Sequence, residues 1–90
     1  MVLEMKIALE DELRSFFEKK IKIVNLEVLE ISYKEIKVGI VSEDFRGMDY
    51  LERDSLVRNI LEKECPELTG VYEMTYLLLT PDAAKFSLYD

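Results

Sequence analysis

The chain has 90 residues, 49% hydrophobic and 34% charged, a globular composition with material for one domain (1–90) and one small core. Its formal net charge is −7, from 12 basic and 19 acidic residues, which argues against a phosphate backbone as partner. It contains no histidine and one cysteine, which excludes an internal disulfide and removes the usual general base and the commonest metal ligand.

Met1 to Glu10 carry acidic residues early and no small-residue cleavage site, so the start does not read as a secretion signal. Leu9, Leu13, Phe16 and Phe17 recur at helical spacing among charged residues, which predicts an amphipathic helix over roughly 7–20. Over 3–9 the pattern is ambiguous, because Leu3, Met5, Ile7 and Leu9 also alternate. Ile21 to Ser32 and Glu35 to Ser42 are rich in Ile and Val and predict two strands joined by a short hairpin connection that lacks an Asn-Gly turn. After a loop containing Gly47, a second helix is expected from about Asp49 to Lys63. Asp49 with Glu52 resembles a capping box, and Leu56, Val57, Ile60 and Leu61 supply the apolar face. Pro66 and Gly70 are read as ending that helix. Val71 to Thr80 predicts a third strand with Tyr72, Met74, Tyr76 and Leu78 on one face, and Thr80-Pro81 starts a short last helix. The fold class is therefore α+β, in the order α-β-β-α-β-α, with helices on one face of a three-stranded mixed sheet.

Chemistry is sparse. No apolar run approaches the roughly 20 residues of a membrane span. One cysteine and no disulfide fit a cytoplasmic protein. The longest basic run is Lys19-Lys20 with Lys22, a thin footprint for nucleic acid. Cys65, before Pro66 and among Glu62, Glu64 and Glu67, has acidic surroundings unsuited to a reactive thiol. Glu43-Asp44 reads by default as a solvated loop, and Arg53 as a surface or structural ion-pair residue.

From Ile36 onward the chain resembles the BolA family. The likeness is carried by Ile36-Lys37-Val38-Gly39-Ile40-Val41-Ser42, by Glu43-Asp44-Phe45-Arg46-Gly47, and by Met48 to Val57. Family members show a strand ending in Val-Ser, then two variable residues, Phe, one variable residue and Gly. Val41, Ser42, Phe45, Gly47, Leu51, Arg53, Leu56 and Val57 fall at the family's places, and Thr80-Pro81 matches the end of its third strand. The resemblance covers about residues 9–86. It implies a BolA fold, similar to the type II KH arrangement, association with monothiol glutaredoxins and a part in iron–sulfur trafficking, with transcriptional regulation also proposed for some members.

The chain departs from the family where metal is held. Tyr72 stands at the position matching the ligand histidine near the start of the third strand. The loop between the first two strands is shorter than usual and holds neither His nor Cys. The Arg-His-Arg triplet reads Arg53-Asp54-Ser55. A phenol with pKa near 10 is a poor substitute for imidazole or thiolate on a cluster. Asp54, and the absence of a Gly-x-x-Gly clamp, also weaken a nucleic-acid role. The glutaredoxin-facing surface of the family lies near the Phe-x-Gly loop, the helix after it and the start of the third strand. Phe45, Gly47, Met48 and Tyr50 are expected partly exposed there, and with Arg53 and Tyr72 they form the candidate partner-binding set. The reading is a non-enzymatic protein-binding adaptor without cofactor or metal ligands. The alternatives are iron–sulfur trafficking with a glutaredoxin through Cys65 and Tyr72, or a KH-like nucleic-acid regulator.

Overall fold

The computed structural model describes residues 3–87. Helix α1 spans Leu3–Glu18. The ambiguity over 3–9 resolves to helix, because Leu13 and Phe17 are fully buried in one stripe with Leu9 and Phe16 packed beside them. Met5 and Ile7, which suggested alternation, stay exposed. The N–H groups of Lys20 and Ile21 both donate to the Phe17 carbonyl at 2.9 Å and close the helix. Residues 21–24, read from sequence as the start of a strand, are a connection. The Lys22 N–H donates instead to the Asp44 carboxylate at 2.8 Å.

Strands β1 (Asn25–Ser32) and β2 (Glu35–Val41) pair antiparallel. A bulge leaves Leu29 unpaired between Val28↔Val38 and Glu30↔Lys37. That extra residue shifts the inward phase of β1 from Leu26 and Val28 to Ile31, which lies opposite the buried Ile36. Ser32 pairs with Glu35, so Tyr33 and Lys34 form the whole loop, and Lys34 adopts φ 71°.

A single 3₁₀ turn, Glu43–Phe45, leads to helix α2, Tyr50–Glu64. Asp49 caps α2 with both bonds of the capping box in place. Pro66 and Gly70 do not mark an irregular connection, as the sequence suggested. Pro66 sits in the first turn of a further short helix, α3 (Pro66–Val71), whose fixed φ suits that position. The third strand, β3, is accordingly Glu73–Leu79, with Val71 in α3 and Tyr72 at its end. Helix α4, Pro81–Ser87, starts from Thr80, whose hydroxyl accepts from the Ala83 N–H at 3.4 Å.

The sheet order is β1-β2-β3, with β3 parallel to β2 across the α2 crossover. Leu26, Val28, Ile36, Val38, Ile40, Met74, Tyr76 and Leu78 form its buried face, against Leu13 and Phe17 of α1 and Val57, Ile60 and Leu61 of α2. This is the α+β arrangement read from the sequence, with α3 added. Among the described residues no helix is long and apolar enough to cross a membrane.

A non-glycine residue in the left-handed region costs about 1 kcal/mol or slightly more. Lys34→Gly is therefore expected to stabilise the chain by up to about 1 kcal/mol, after allowance for the extra freedom of glycine in the unfolded state. A rise in the urea midpoint at constant slope checks this.

Candidate functional site

Around the start of α2 the structure brings together five of the six residues singled out from the sequence. Ser42, fully buried, ends β2 and accepts the Asp44 N–H at 3.1 Å, which fixes the 3₁₀ turn. The turn drives Phe45 into the core at 0% exposure. The expectation that Phe45 is partly exposed is thus corrected: its ring closes the core under Arg53, whose guanidinium lies 5.9 Å from the ring centroid. Gly47 then turns the chain at φ 83°, a conformation disfavoured for any residue with a Cβ. Met48 is half-buried against the core, whereas Tyr50 is 51% exposed.

Among the described residues Arg53 makes no ion pair. Its Nε donates to the Met48 carbonyl and its Nη1 to the Leu78 carbonyl, each at 3.0 Å. The Tyr50 hydroxyl donates to the Tyr76 carbonyl. Ser42 N–H donates to the Leu79 carbonyl and Glu73 N–H to that of Lys34, so odd-numbered β3 residues point their backbone toward β2. Tyr76 and Leu78 point theirs to the open edge, and Tyr50 and Arg53 cover it. At the opposite edge α1 does the same: Glu10 accepts the Val28 N–H at 2.8 Å, and Arg14 donates to the Leu26 carbonyl at 3.2 Å.

Tyr72 is not part of this cluster. It precedes β3, about 13 Å along the strand from Tyr76, and packs half-buried against the core. There it lines a shallow cleft with Arg58, Glu62, Thr69, Glu73, Met74 and Tyr76. The Tyr76 hydroxyl is buried without a hydrogen-bond partner among the described residues, and the Arg58 guanidinium lies 5.3 Å from its ring centroid. Burial pushes this phenol well above its ordinary pKa, against a smaller opposing pull from Arg58.

The Glu43-Asp44 pair is not a free loop. Glu43 accepts two bonds from Arg46, at 2.9 and 3.0 Å, and Asp44 holds Lys22. Arg46 also reaches Asp82 at 2.9 Å, which holds that carboxyl below its usual range and links the turn to α4. Cys65 joins α2 to α3, packs partly against the core and donates from Sγ to Glu67 at 3.6 Å. Among the described residues no three His, Cys, Asp or Glu side chains are grouped to hold a metal ion. With a phenol at Tyr72 and the Cys65 thiol engaged by a carboxylate, the donor set fits a cluster poorly.

Of the residues carrying the family resemblance, the fold accounts for all but one. Val41 and Val57 are buried, Ser42 caps, Phe45 fills the core, Gly47 turns, Arg53 ties two carbonyls, and Leu56 packs on the core margin. Leu51 is 78% exposed beside Tyr50. From the sequence it stands among the residues carrying the resemblance but outside the candidate partner-binding set, although at about 100° per residue it falls well off the helix face of Val57, Ile60 and Leu61.

No family model matches the chain, and no curated protein matches it. Solved structures do. The chain is similar to the BolA domain of SufE1 from Arabidopsis thaliana, with a TM-score of 0.68, 25% identity, and coverage of 84% of this chain and 95% of that one. BolA1 from the same plant gives a TM-score of 0.65 at 25% identity, covering 81% and 92%. The BolA1 protein from Mus musculus gives 0.68 at 23% identity, covering 91% and 72%, a likeness of fold.

Arg53→Ala leaves the Met48 and Leu78 carbonyls without their donor and is expected to destabilise by about 1–3 kcal/mol in chemical denaturation. Tyr76→Phe removes a buried hydroxyl that has no protein partner and is expected to raise stability by about 1 kcal/mol. A loss of stability in that variant would mean the hydroxyl is satisfied in solution.

Proposed function

We propose that this chain, a BolA-like protein by its fold and its structural neighbours, is a non-enzymatic cytoplasmic adaptor that binds a protein partner through the start of α2. A monothiol glutaredoxin is the first candidate. The observation that carries the reading is the exposure of Leu51 and Tyr50 on a base made rigid by Phe45, Arg53 and the edge of β3. Exposed large apolar side chains held on a fixed element suit partner docking, because little freedom is lost on binding. Gly47 and half-buried Met48 extend the same surface.

This reading does not use metal. Iron–sulfur clusters are cargo for the family that the chain resembles, and here Tyr72 stands at one expected donor position, the short β1–β2 loop offers neither His nor Cys, and the Cys65 thiol is engaged by Glu67. Binding of a glutaredoxin would therefore proceed without a ligand from this chain, and a reconstituted glutaredoxin cluster should keep its own visible circular dichroism when the chain is added.

Titration calorimetry with a purified monothiol glutaredoxin tests the proposal. Leu51→Asp places a charge at a contact while leaving the core untouched, so affinity is expected to fall about tenfold or more with little change in melting temperature. Binding that survives Leu51→Asp and Tyr50→Ser unchanged, in folded variants, would remove this surface from the interface.

A further inference from the structure

The end of α1 and the C-terminal half of α2 enclose a second cleft, about 380 Å³ in volume, lined by Lys20, Leu56, Asn59, Ile60, Lys63 and Glu64. Four of these, Leu56, Asn59, Ile60 and Lys63, stand at i, i+3, i+4 and i+7 on α2 and so share one stripe. Leu56 and Ile60 give the cleft an apolar floor. Leu56 is half-buried, whereas Lys20, Asn59 and Lys63 are exposed around the floor.

The charge of this cleft opposes that of the molecule. Glu64 is engaged by Lys19 at 3.6 Å, which leaves Lys20 and Lys63 without an ion-pair partner among the described residues. Two ammonium groups without such a partner thus line one cleft, beside Glu64, on a chain whose net charge is −7. Lys19, Lys20 and Lys22 are the longest basic run in the sequence, and α2 adds Lys63 to it across the fold.

We propose that this cleft docks an acidic peptide segment carrying an apolar side chain. Lys20 and Lys63 meet its carboxylates, Leu56 and Ile60 receive the apolar group, and the Asn59 amide hydrogen-bonds its backbone. Charge complementarity selects the occupant. A nucleic acid would gain from the two lysines but suffer repulsion from the acidic surface around them, and it offers far less aliphatic surface to the apolar floor than a leucine side chain does. A second copy of this chain would bring a further net charge of −7 to the approach. The proposal goes beyond the reading of the α2 start, since a partner bound only at Tyr50 and Leu51 leaves this cleft open.

The test is an amide-resolved NMR titration of the full chain with an acetylated, amidated hexapeptide, Glu-Asp-Leu-Leu-Glu-Asp, at millimolar concentration and low salt. Shifts centred on Lys20, Asn59 and Lys63 are expected. Reversing both lysines, Lys20→Glu with Lys63→Glu, should weaken binding about tenfold. These side chains are exposed, and far-UV circular dichroism confirms that the variant folds. Binding should also fade as salt rises, since screening shortens to about 3 Å at 1 M. The proposal is overturned if the peptide leaves those amides unmoved. Equal binding of a peptide with Lys at every acidic position would overturn it too, as would tighter binding of a single-stranded oligonucleotide at the same lysines.

Discussion

Arg53 donates to the Leu78 carbonyl on the open edge of β3 and to the Met48 carbonyl at the entry to α2, with its guanidinium over the buried Phe45 ring. One side chain thereby fixes the strand edge, the loop and the helix start relative to each other. The wider constraint is that a three-stranded sheet has two edges with unpaired backbone groups. Here α2 covers one with Tyr50 and Arg53, and α1 covers the other with Glu10 and Arg14, so both helices that bury the sheet's face also close its sides. A partner strand cannot extend the sheet at those carbonyls without displacing these contacts. In the proposed adaptor role, recognition falls to side chains standing clear of the fold.

Two such places differ in chemistry. The start of α2 is apolar, with Leu51 and Tyr50 exposed on a rigid base, and suits a partner that brings apolar surface of its own. The α1–α2 cleft is cationic on an acidic molecule and suits an acidic segment. Neither brings together the thiolates or imidazoles that an iron–sulfur cluster favours. Tyr72, which stands where the resembled family has a ligand, is committed partly to packing.

Periodicity made the architecture legible. The stripe of Leu9, Leu13, Phe16 and Phe17, the alternation of Ile36, Val38 and Ile40, the Asp49–Glu52 capping box and the Thr80-Pro81 start each describe a local preference that the tertiary structure agrees with. What stayed hidden depends on contacts between distant residues. Pro66 was read as ending α2, which it does, but proline is equally suited to a first helical turn, and only packing of Leu68 against the core shows that it also opens α3. The bulge at Leu29 was visible only as a broken alternation. Phe45 was expected partly exposed because the partner-facing surface of the resembled family lies near its loop, yet Ser42 and Gly47 turn the loop inward. Arg53 falls at one of the places that carry the family resemblance, but its clamp on carbonyls up to 25 residues away has no signal in periodicity or propensity.

The most direct measurement of the central claim is an amide-resolved NMR titration of the chain, free of metal, with an apo monothiol glutaredoxin. The account predicts perturbations centred on Gly47 to Arg53 and spreading to β3 through the Tyr50 and Arg53 contacts, without any iron–sulfur cluster present. Perturbations that arise only when a cluster is loaded, centred on Cys65 or Tyr72, would contradict it and restore a ligand role to this chain.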